Sequence, residues 1–178
     1  CVLNTQTPKI YTTDHGLPPA GAWFVEVGLD GTVWAGGDEW MARFDGTLTL
    51  FPVPNTSPFH QVAVGPDGAV WVAFETGELG RFDGSDWQML DAPSIAQPQG
   101  DRPQVAVAPD GTLWVGLSDD NPDESANTVS RGVASFDGSE WTVYTTADGL
   151  PQRVGNLITV APDGTVWAGS AGSIGSDG

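Results

Sequence analysis

Short apolar runs separated by Asp-Gly pairs recur four times along the chain. The segments VEVGLDGTVWAG, VAVGPDGAVWVA, VAVAPDGTLWVG and ITVAPDGTVWAG each place a tryptophan four residues after the aspartate, at Trp34, Trp71, Trp114 and Trp167. Apolar residues alternate with others on both sides of each pair, which predicts a strand, a tight turn and a second strand. Because Asp-Gly tolerates positive φ, we expect primed hairpin turns at these sites.

A second signal follows each tryptophan. RFDG, RFDG and SFDG place phenylalanines at 44, 82 and 136, and Trp87 and Trp141 follow the last two, whereas the first copy has Thr49 in that place. Each unit is thus predicted to contain four strands: a ends at the first Asp-Gly, b carries the tryptophan, c ends in FDG and d follows. No segment has helical periodicity over a dozen residues. Repeated four-stranded units of about 40 to 50 residues predict an all-β fold, a β-propeller.

The expected domain is a single β-propeller, or part of one, over residues 1–178. Its units span about 23–52, 60–90, 104–146 and 157–178, and residues 9–13 supply one more strand d. Three blades are then complete and a fourth is split between the termini. Pairing residues 9–13 with the last unit would close a four-bladed ring. We favour the alternative, a fragment of a larger ring, because the chain stops in mid-turn and begins without Met.

Composition limits the partners. The chain has 23 acidic and 6 basic side chains and a formal charge of −17, which argues against nucleic acid and anionic membranes because both need clustered Lys and Arg. One cysteine, Cys1, excludes an internal disulfide and a thiolate metal cluster. No apolar run approaches the roughly 20 residues of a membrane-spanning helix, and the GxSxG and HExxH motifs and a phosphate-binding glycine loop are missing.

The GLP, PDGTVWAG, FDGSEW and YTT elements resemble the two-component-regulator propeller repeats of bacterial extracytoplasmic sensor regions, over nearly the whole chain. This resemblance implies a propeller scaffold that senses or binds without catalysis, with a small molecule, glycan or protein as partner and signalling domains fused in the parent protein. It also implies a periplasmic, secreted or lipid-anchored location. Cys1 is either the acylated first residue of a lipoprotein or a chance boundary.

Antiparallel strands separate two faces of such a propeller. The a-to-b and c-to-d turns, all tight, form what we call the turn face, and the b-to-c and d-to-a connections, which vary in length, form the connection face. Variable connections normally carry binding residues. The candidates there are Trp40 with Asp38 and Glu39, because an exposed indole beside carboxylates can stack on a sugar or a cation. Simple packing of Trp40 is the alternative.

Two further arginines are weaker ligand-binding candidates, because Arg102 and Arg153 lie in d-to-a connections. Arg43 and Arg81 instead occupy equivalent places before FDG, so we expect repeated intramolecular ion pairs there. The four repeated tryptophans are expected to pack between blades.

The longest b-to-c connection has the only metal-like spacing. Asp119, Asn121 and Asp123 alternate as oxygen ligands do in the first half of a calcium loop. The sixth position is Glu124 rather than Gly and the twelfth is Ser130 rather than Glu. We therefore expect a solvated acidic loop and no cofactor, with a weak calcium or magnesium site as the alternative.

His60 supports an enzyme alternative. The segment FHQVAVGPDGAVW resembles virginiamycin B lyase-type propellers, in which a His and a Glu near magnesium eliminate across a cyclic depsipeptide ester. That resemblance implies an acid three residues after Trp71, but Phe74 occupies the position and Glu75 comes one residue late, on the opposite side of a strand. A C–O lyase therefore stays an alternative, as does a structural or adhesion scaffold. His15 replaces Asp148 of the equivalent YTT segment and is expected to lie in a loop.

Overall fold

The computed structural model describes residues 10–37, 39–54, 58–91, 104–117, 132–151 and 157–169. This part of the chain is almost entirely strand and turn, with short 3₁₀ turns at Thr13–His15 and Thr146–Asp148. The strands, in chain order, are β1 (Phe24–Val27), β2 (Val33–Gly37), β3 (Trp40–Phe44), β4 (Leu48–Pro52), β5 (Phe59–Val64), β6 (Val70–Phe74), β7 (Leu79–Phe82), β8 (Trp87–Leu90), β9 (Gln104–Val107), β10 (Leu113–Leu117), β11 (Gly132–Phe136), β12 (Trp141–Tyr144), β13 (Leu157–Val160) and β14 (Val166–Gly169).

The strands form antiparallel sheets of consecutive strands, as the repeats predict. Strands β1 to β4, β5 to β8 and β9 to β12 make three four-stranded sheets, and β13 pairs with β14. We call these units 1 to 4. The first strands of successive units, β1, β5, β9 and β13, contact one another in order, so the units fan out from a common inner edge. The β-propeller fold is therefore confirmed, whereas the strand predicted in GSIGSDG lies outside the described residues.

The hydrophobic core lies between the units, and the repeated tryptophans help to build it. Trp34 packs edge-to-face on Phe82 of unit 2, with ring centroids 6.0 Å apart. Trp71 belongs to the cluster that contains Leu113 and Val115 of unit 3, and Trp114 packs against the pair that contains Ile158 of unit 4. Each of these tryptophans thus contacts the following unit, which confirms the predicted packing between blades. Trp167 of unit 4 is exposed instead.

The a-to-b turns differ from the prediction. In unit 1 the Gly28 N–H donates to the Thr32 carbonyl at 2.8 Å and the Gly31 N–H donates to the Gly28 carbonyl at 3.0 Å, which encloses a three-residue loop. Gly31, with φ 83°, takes the left-handed position at its end. The primed-turn prediction is wrong here, because a turn followed by a left-handed glycine joins the strands just as tightly. The FDG turn of unit 2 does place its glycine, Gly84, first, with φ 100°.

The aspartates of the turn face stabilise their own turns. In the a-to-b turn of unit 1 the Asp30 carboxylate accepts the Thr32 N–H at 2.9 Å and the Thr32 hydroxyl at 2.8 Å. These hydrogen bonds from Thr32 hold the pKa of Asp30 below its usual value. Backbone hydrogen bonds lower the pKa of four other turn aspartates in the same way, Asp83, Asp110, Asp137 and Asp163. Much of the acidity of this face is therefore structural.

The two arginines before FDG both form ion pairs within their own units, but their partners occupy different repeat positions, so the predicted repetition of one pair does not hold. Arg43 Nε lies 3.4 Å from Asp45 Oδ2, and Arg81 Nη2 lies 2.5 Å from Asp67 Oδ2. Each guanidinium also lies 5.6 Å from the centroid of an aromatic ring of its own unit, Phe51 for Arg43 and Trp71 for Arg81. Each cation therefore has an acidic and an aromatic neighbour in its own blade, although Arg43 Nε is buried without a hydrogen bond among the described residues.

The segment before β1 lies against unit 1 but is not a strand, since residues 10–12 have no regular structure and Thr13 begins a 3₁₀ turn. Tyr11 contacts the Phe44 ring at 4.9 Å, and Phe51 of β4 contacts the Phe82 ring of the next unit at the same 4.9 Å. The extra strand d predicted over residues 9–13 is therefore not formed at residues 10–13, and residues 1–9 lie outside the described residues. His15 lies in a 3₁₀ turn, where its ring Nδ1 accepts the Thr12 N–H at 3.1 Å. Asp148 does the same for the Thr145 N–H at 2.8 Å, so the predicted equivalence of His15 and Asp148 holds.

Candidate binding site on the connection face

The connection face of unit 1 brings together four residues that we call the Trp23 site: Trp23, Gly37, Glu39 and Trp40. Gly37 ends β2 and Trp40 begins β3, and the two are paired across the hairpin. A side chain added at Gly37 would meet the Gly21 carbonyl and Trp40 Nε1, and would lie 3.6 Å from the Trp23 ring. Gly37 therefore lets the two indoles and the backbone before β1 converge.

Trp40 is not the exposed loop residue that the sequence predicts. It lies in β3 opposite Pro52 and is only 8% exposed. The prediction is wrong because the segment before β1 lies over this end of the sheet, with the Gly21 carbonyl next to Gly37. The alternative, packing, describes the Trp40 ring better.

The exposed indole at this position belongs to Trp23, which the sequence analysis did not select. Trp23 is 63% exposed, and its N–H donates to the Gly36 carbonyl at 2.6 Å, which fixes the backbone against β2. The available signal was that Trp23, like Trp40, falls outside the repeated tryptophan positions. Two such tryptophans flanking one hairpin indicate a local feature of unit 1 rather than a requirement of the repeat.

Polar groups lie beside the two indoles. Trp40 Nε1 is buried and has no hydrogen-bond acceptor among the described residues. A buried donor without an acceptor costs roughly 1 to 3 kcal/mol, and its burial closes this nitrogen to a ligand from solvent. Glu39 is exposed in the turn before β3, and its carbonyl accepts the Val53 N–H at 3.3 Å. The site thus offers a ligand an aromatic surface and a carboxylate.

Glu26 of β1 is a second feature that the repeats do not predict. It pairs across the hairpin with Trp34, a place taken by Ala63 in unit 2 and Ala106 in unit 3. Partial desolvation by neighbouring groups raises the pKa of Glu26, although the residue is exposed at the surface, and a hydrogen bond with the Val27 backbone partly opposes that shift. One carboxyl group near the inner edge of the fold is therefore protonated more easily than an ordinary glutamate.

The remaining predicted residues are only partly open to description. His60 lies in β5 at a bulge between Phe59 and Gln61, and its side chain lies outside the described part. Phe74, at the position that the lyase resemblance assigns to an acid, is fully buried. Six further candidates lie outside the described residues: Asp38, Arg102, Arg153, Asp119, Asn121 and Asp123. Their predicted roles stay predictions.

Two findings concern metals and membranes. Within residues 10–37, 39–54, 58–91, 104–117, 132–151 and 157–169, no three His, Cys, Asp or Glu side chains are grouped so that they could hold a metal ion. In the same ranges no helix has the length and apolar character needed to cross a membrane.

Comparisons with known proteins bear on the fold. No protein-family model matches the chain, and no curated protein matches it. The structure is similar to that of selenomethionine-substituted virginiamycin B lyase from Staphylococcus aureus, with a TM-score of 0.52 and 18% identity over 72% of this chain and 42% of that one. It is also similar to YCF48 bound to D1 peptide, with a TM-score of 0.49 and 13% identity over 73% and 41% of the two chains.

Both proteins are β-propellers, and the match to the lyase supports the propeller fold of this chain. The chain spans about two fifths of the length of that lyase, which is 42% covered. At 18% identity the likeness shows the fold alone. The two-component-regulator resemblance is not confirmed by these comparisons and stays a prediction.

Proposed function

We propose that this chain is a non-catalytic binding module that recognises a sugar-containing or other small ligand at the Trp23 site, as a sensing part of an extracytoplasmic bacterial protein. The observation that carries the proposal is the exposed indole of Trp23, anchored through its backbone at the connection face that also carries the exposed Glu39. The location outside the cytoplasm rests on the repeat resemblance.

The chemistry of the site suits a carbohydrate. The flat face of an indole stacks on the C–H face of a sugar ring, and the pre-ordered Trp23 backbone reduces the entropy lost on binding. The Glu39 carboxylate can accept from a hydroxyl or attract a cationic ligand.

The test is a glycan array followed by calorimetric titration of the best ligands. Trp23→Ala should abolish binding in a folded protein. Trp167→Ala is the matched control, because Trp167 has nearly the same exposure, 64% against 63%, but lies in unit 4. Trp40→Phe is a second control, because it keeps an aromatic ring and removes only a buried donor, so affinity should change by less than about 2-fold.

Other results would contradict the proposal. Ligand binding that survives Trp23→Ala would place recognition elsewhere. Turnover of virginiamycin B that His60→Ala abolishes would favour the lyase alternative. That alternative needs a carboxylate at position 74, where this chain has a buried phenylalanine. No binding and no turnover by a folded protein would favour a structural scaffold. Recovery of the native protein in the cytosol on cell fractionation would contradict the proposed location.

A further inference from the structure

Asp-Gly pairs occur in both kinds of turn on the turn face, and the hydrogen bonding of the glycine N–H differs between them. In the a-to-b turns each glycine N–H donates to the carbonyl three residues before it, at 2.9 to 3.0 Å: Gly31, Gly68, Gly111 and Gly164. In the c-to-d turns of units 2 and 3 the N–H groups of Gly84 and Gly138 have no acceptor among the described residues. We call the first kind closed turns and these two open turns.

The open turns enclose two-residue loops. In unit 2 the Asp83 N–H donates to the Asp86 carbonyl at 3.2 Å, and unit 3 repeats this bond at 3.3 Å. Gly84 and Gly138 begin the two loops, each with φ 100°. Because the loop residues lie outside the hairpin ladder, the glycine N–H faces no strand partner.

The carboxylate of each open turn is folded back over its own loop. Asp83 Oδ1 accepts the N–H groups of Ser85 and Asp86, both at 2.9 Å, and Asp137 Oδ1 accepts the two equivalent groups in unit 3, both at 2.8 Å. Backbone hydrogen bonds lower the pKa of Asp83 in an open turn and of Asp110 in a closed one. The charge of the carboxyl group therefore does not distinguish the two kinds of turn.

We propose that Asp83 and Asp137 are modification sites, at which the aspartyl residue rearranges to isoaspartate without an enzyme. The glycine nitrogen gives up its proton and attacks the carbon of the neutral carboxyl group. A C–N bond forms, and the carboxyl hydroxyl leaves as water with that proton. Water then opens the resulting succinimide ring. Opening at the carbonyl next to Cα leaves the main chain running through the former side chain.

The hydrogen bond of the glycine N–H decides which pairs react. In a closed turn the glycine nitrogen must first leave its acceptor, whereas Gly84 and Gly138 start without that bond. One net backbone hydrogen bond corresponds to a factor of about 2 to 13 in rate. The aspartates of both kinds of turn are exposed, so access to water does not separate them.

The FDG turn of unit 1 is not part of the proposal. Its Asp45 N–H donates to the Thr47 carbonyl at 3.4 Å, which is a different turn from those of units 2 and 3. Its carboxylate also lies 3.4 Å from Arg43 Nε.

Isoaspartate at position 83 affects a contact between two units. The rearrangement adds one carbon to the main chain just before β8, which begins at Trp87. Trp87 Nε1 donates to the Pro52 carbonyl of unit 1 at 3.1 Å. Displacement of Trp87 weakens this contact, so we expect the isomerised protein to be less stable than the fresh protein.

Peptide mapping of the whole 178-residue chain tests the proposal. Folded protein is kept at neutral pH for several weeks, and electron-transfer fragmentation distinguishes isoaspartate from aspartate of equal mass. A parallel sample in guanidinium chloride gives the rate of each pair without turn hydrogen bonds. The ratio of denatured to folded rate is the protection of that pair. Protection at Asp83 and Asp137 should be about 2- to 13-fold smaller than in the closed turns.

Matched variants connect the signal to the turn. Asp83→Glu should remove the isoaspartate of unit 2, because glutamate would have to close a six-membered ring and does so far more slowly. Asp110→Glu is the control in a closed turn and should leave the total nearly unchanged. Both positions are exposed, so circular dichroism should show wild-type folding.

Two results would overturn the proposal. One is equal protection of the Asp-Gly pairs in open and closed turns of the folded protein. The other is folded protein that accumulates isoaspartate in the closed turns and none at Asp83 or Asp137. Both results come from the wild-type chain, so they do not depend on the folding of a variant.

Discussion

The junction between units 1 and 2 and the open side of unit 4 contain the same sequence element in opposite surroundings. Trp34 packs on Phe82, whereas the equivalent Trp167 meets no residue of a following unit in the described part of the chain. The comparison shows that the repeated tryptophan forms a contact between blades rather than within one blade. Its contribution to the free energy of unfolding therefore depends on whether the next blade covers it.

Replacing each of the two tryptophans with alanine should give the largest difference in stability between the two sites. Trp34→Ala should lower the free energy of unfolding by about 3 to 5 kcal/mol, because it removes a large buried ring from the core. Trp167→Ala should change it by no more than about 0.5 kcal/mol, as is usual for exposed positions. Urea denaturation measures both. Equal losses for the two variants would contradict the comparison.

Two glycines with positive φ extend the comparison from side chains to the backbone. Gly132 in β11 (φ 88°) faces the Tyr144 carbonyl of β12, and a methyl group there would collide with it. Gly164 has φ 86° and open space around it. Gly132→Ala should therefore destabilise by at least about 3 kcal/mol, because displacement of β12 adds to backbone strain. Gly164→Ala should cost only about 1 kcal/mol. Thermal unfolding compares them, and a smaller effect at Gly132 would refute the packing described.

Glu26 offers a test at the inner edge of the same junction. Its pKa is raised above 4.5 in the folded state, so the folded protein binds a proton that the unfolded chain gives up. The stability associated with Glu26 is complete below pH 4.5 and declines as pH rises through the folded pKa. Glu26→Gln should remove this decline and be slightly more stable than wild type at pH 7. The change should be well under 1 kcal/mol, because the side chain is partly solvated. Parallel stability profiles of the two proteins from pH 4 to pH 7 would contradict this expectation.

The turn aspartates should show the opposite sign and the smallest individual effects. Their pKa values are lowered from 3.8 by hydrogen bonds to their own turns, so their contribution is present above pH 3.8 and is lost as pH falls below it. Asp163→Asn should be less sensitive to acid than wild type between pH 4 and pH 2. Thermal melts over this range measure it, and an unchanged acid dependence would show that the Asp163 bonds do not stabilise the fold.

The fold was predictable because the same sequence pattern recurs in each unit. The Asp-Gly pairs and the tryptophans four residues after them predicted the strand order and the packing between blades. The sheets and the contacts of Trp34, Trp71 and Trp114 confirm both. The turn type was missed because Asp-Gly is compatible with both two- and three-residue hairpin loops. The exposure of Trp167 could not be read from a pattern, since it depends on whether another unit follows.

The candidate site was predictable in region but not in residue. Sequence placed an aromatic group beside Glu39 on the connection face of unit 1. In the structure the exposed ring is that of Trp23 and not that of Trp40. This difference depends on how the backbone around Gly21 lies over Gly37, a tertiary contact between segments that carry no repeat signal.

Fluorine NMR of 5-fluorotryptophan-labelled protein tests the central claim, that each repeated tryptophan is buried by the unit after it. The change in fluorine chemical shift between H₂O and D₂O reports solvent exposure at each ring, and single Trp→Phe variants assign the signals. The account predicts a small solvent effect at Trp34 and Trp71, a larger one at Trp114 and the largest at Trp167. Similar solvent effects at all four rings, or a protected Trp167, would contradict it.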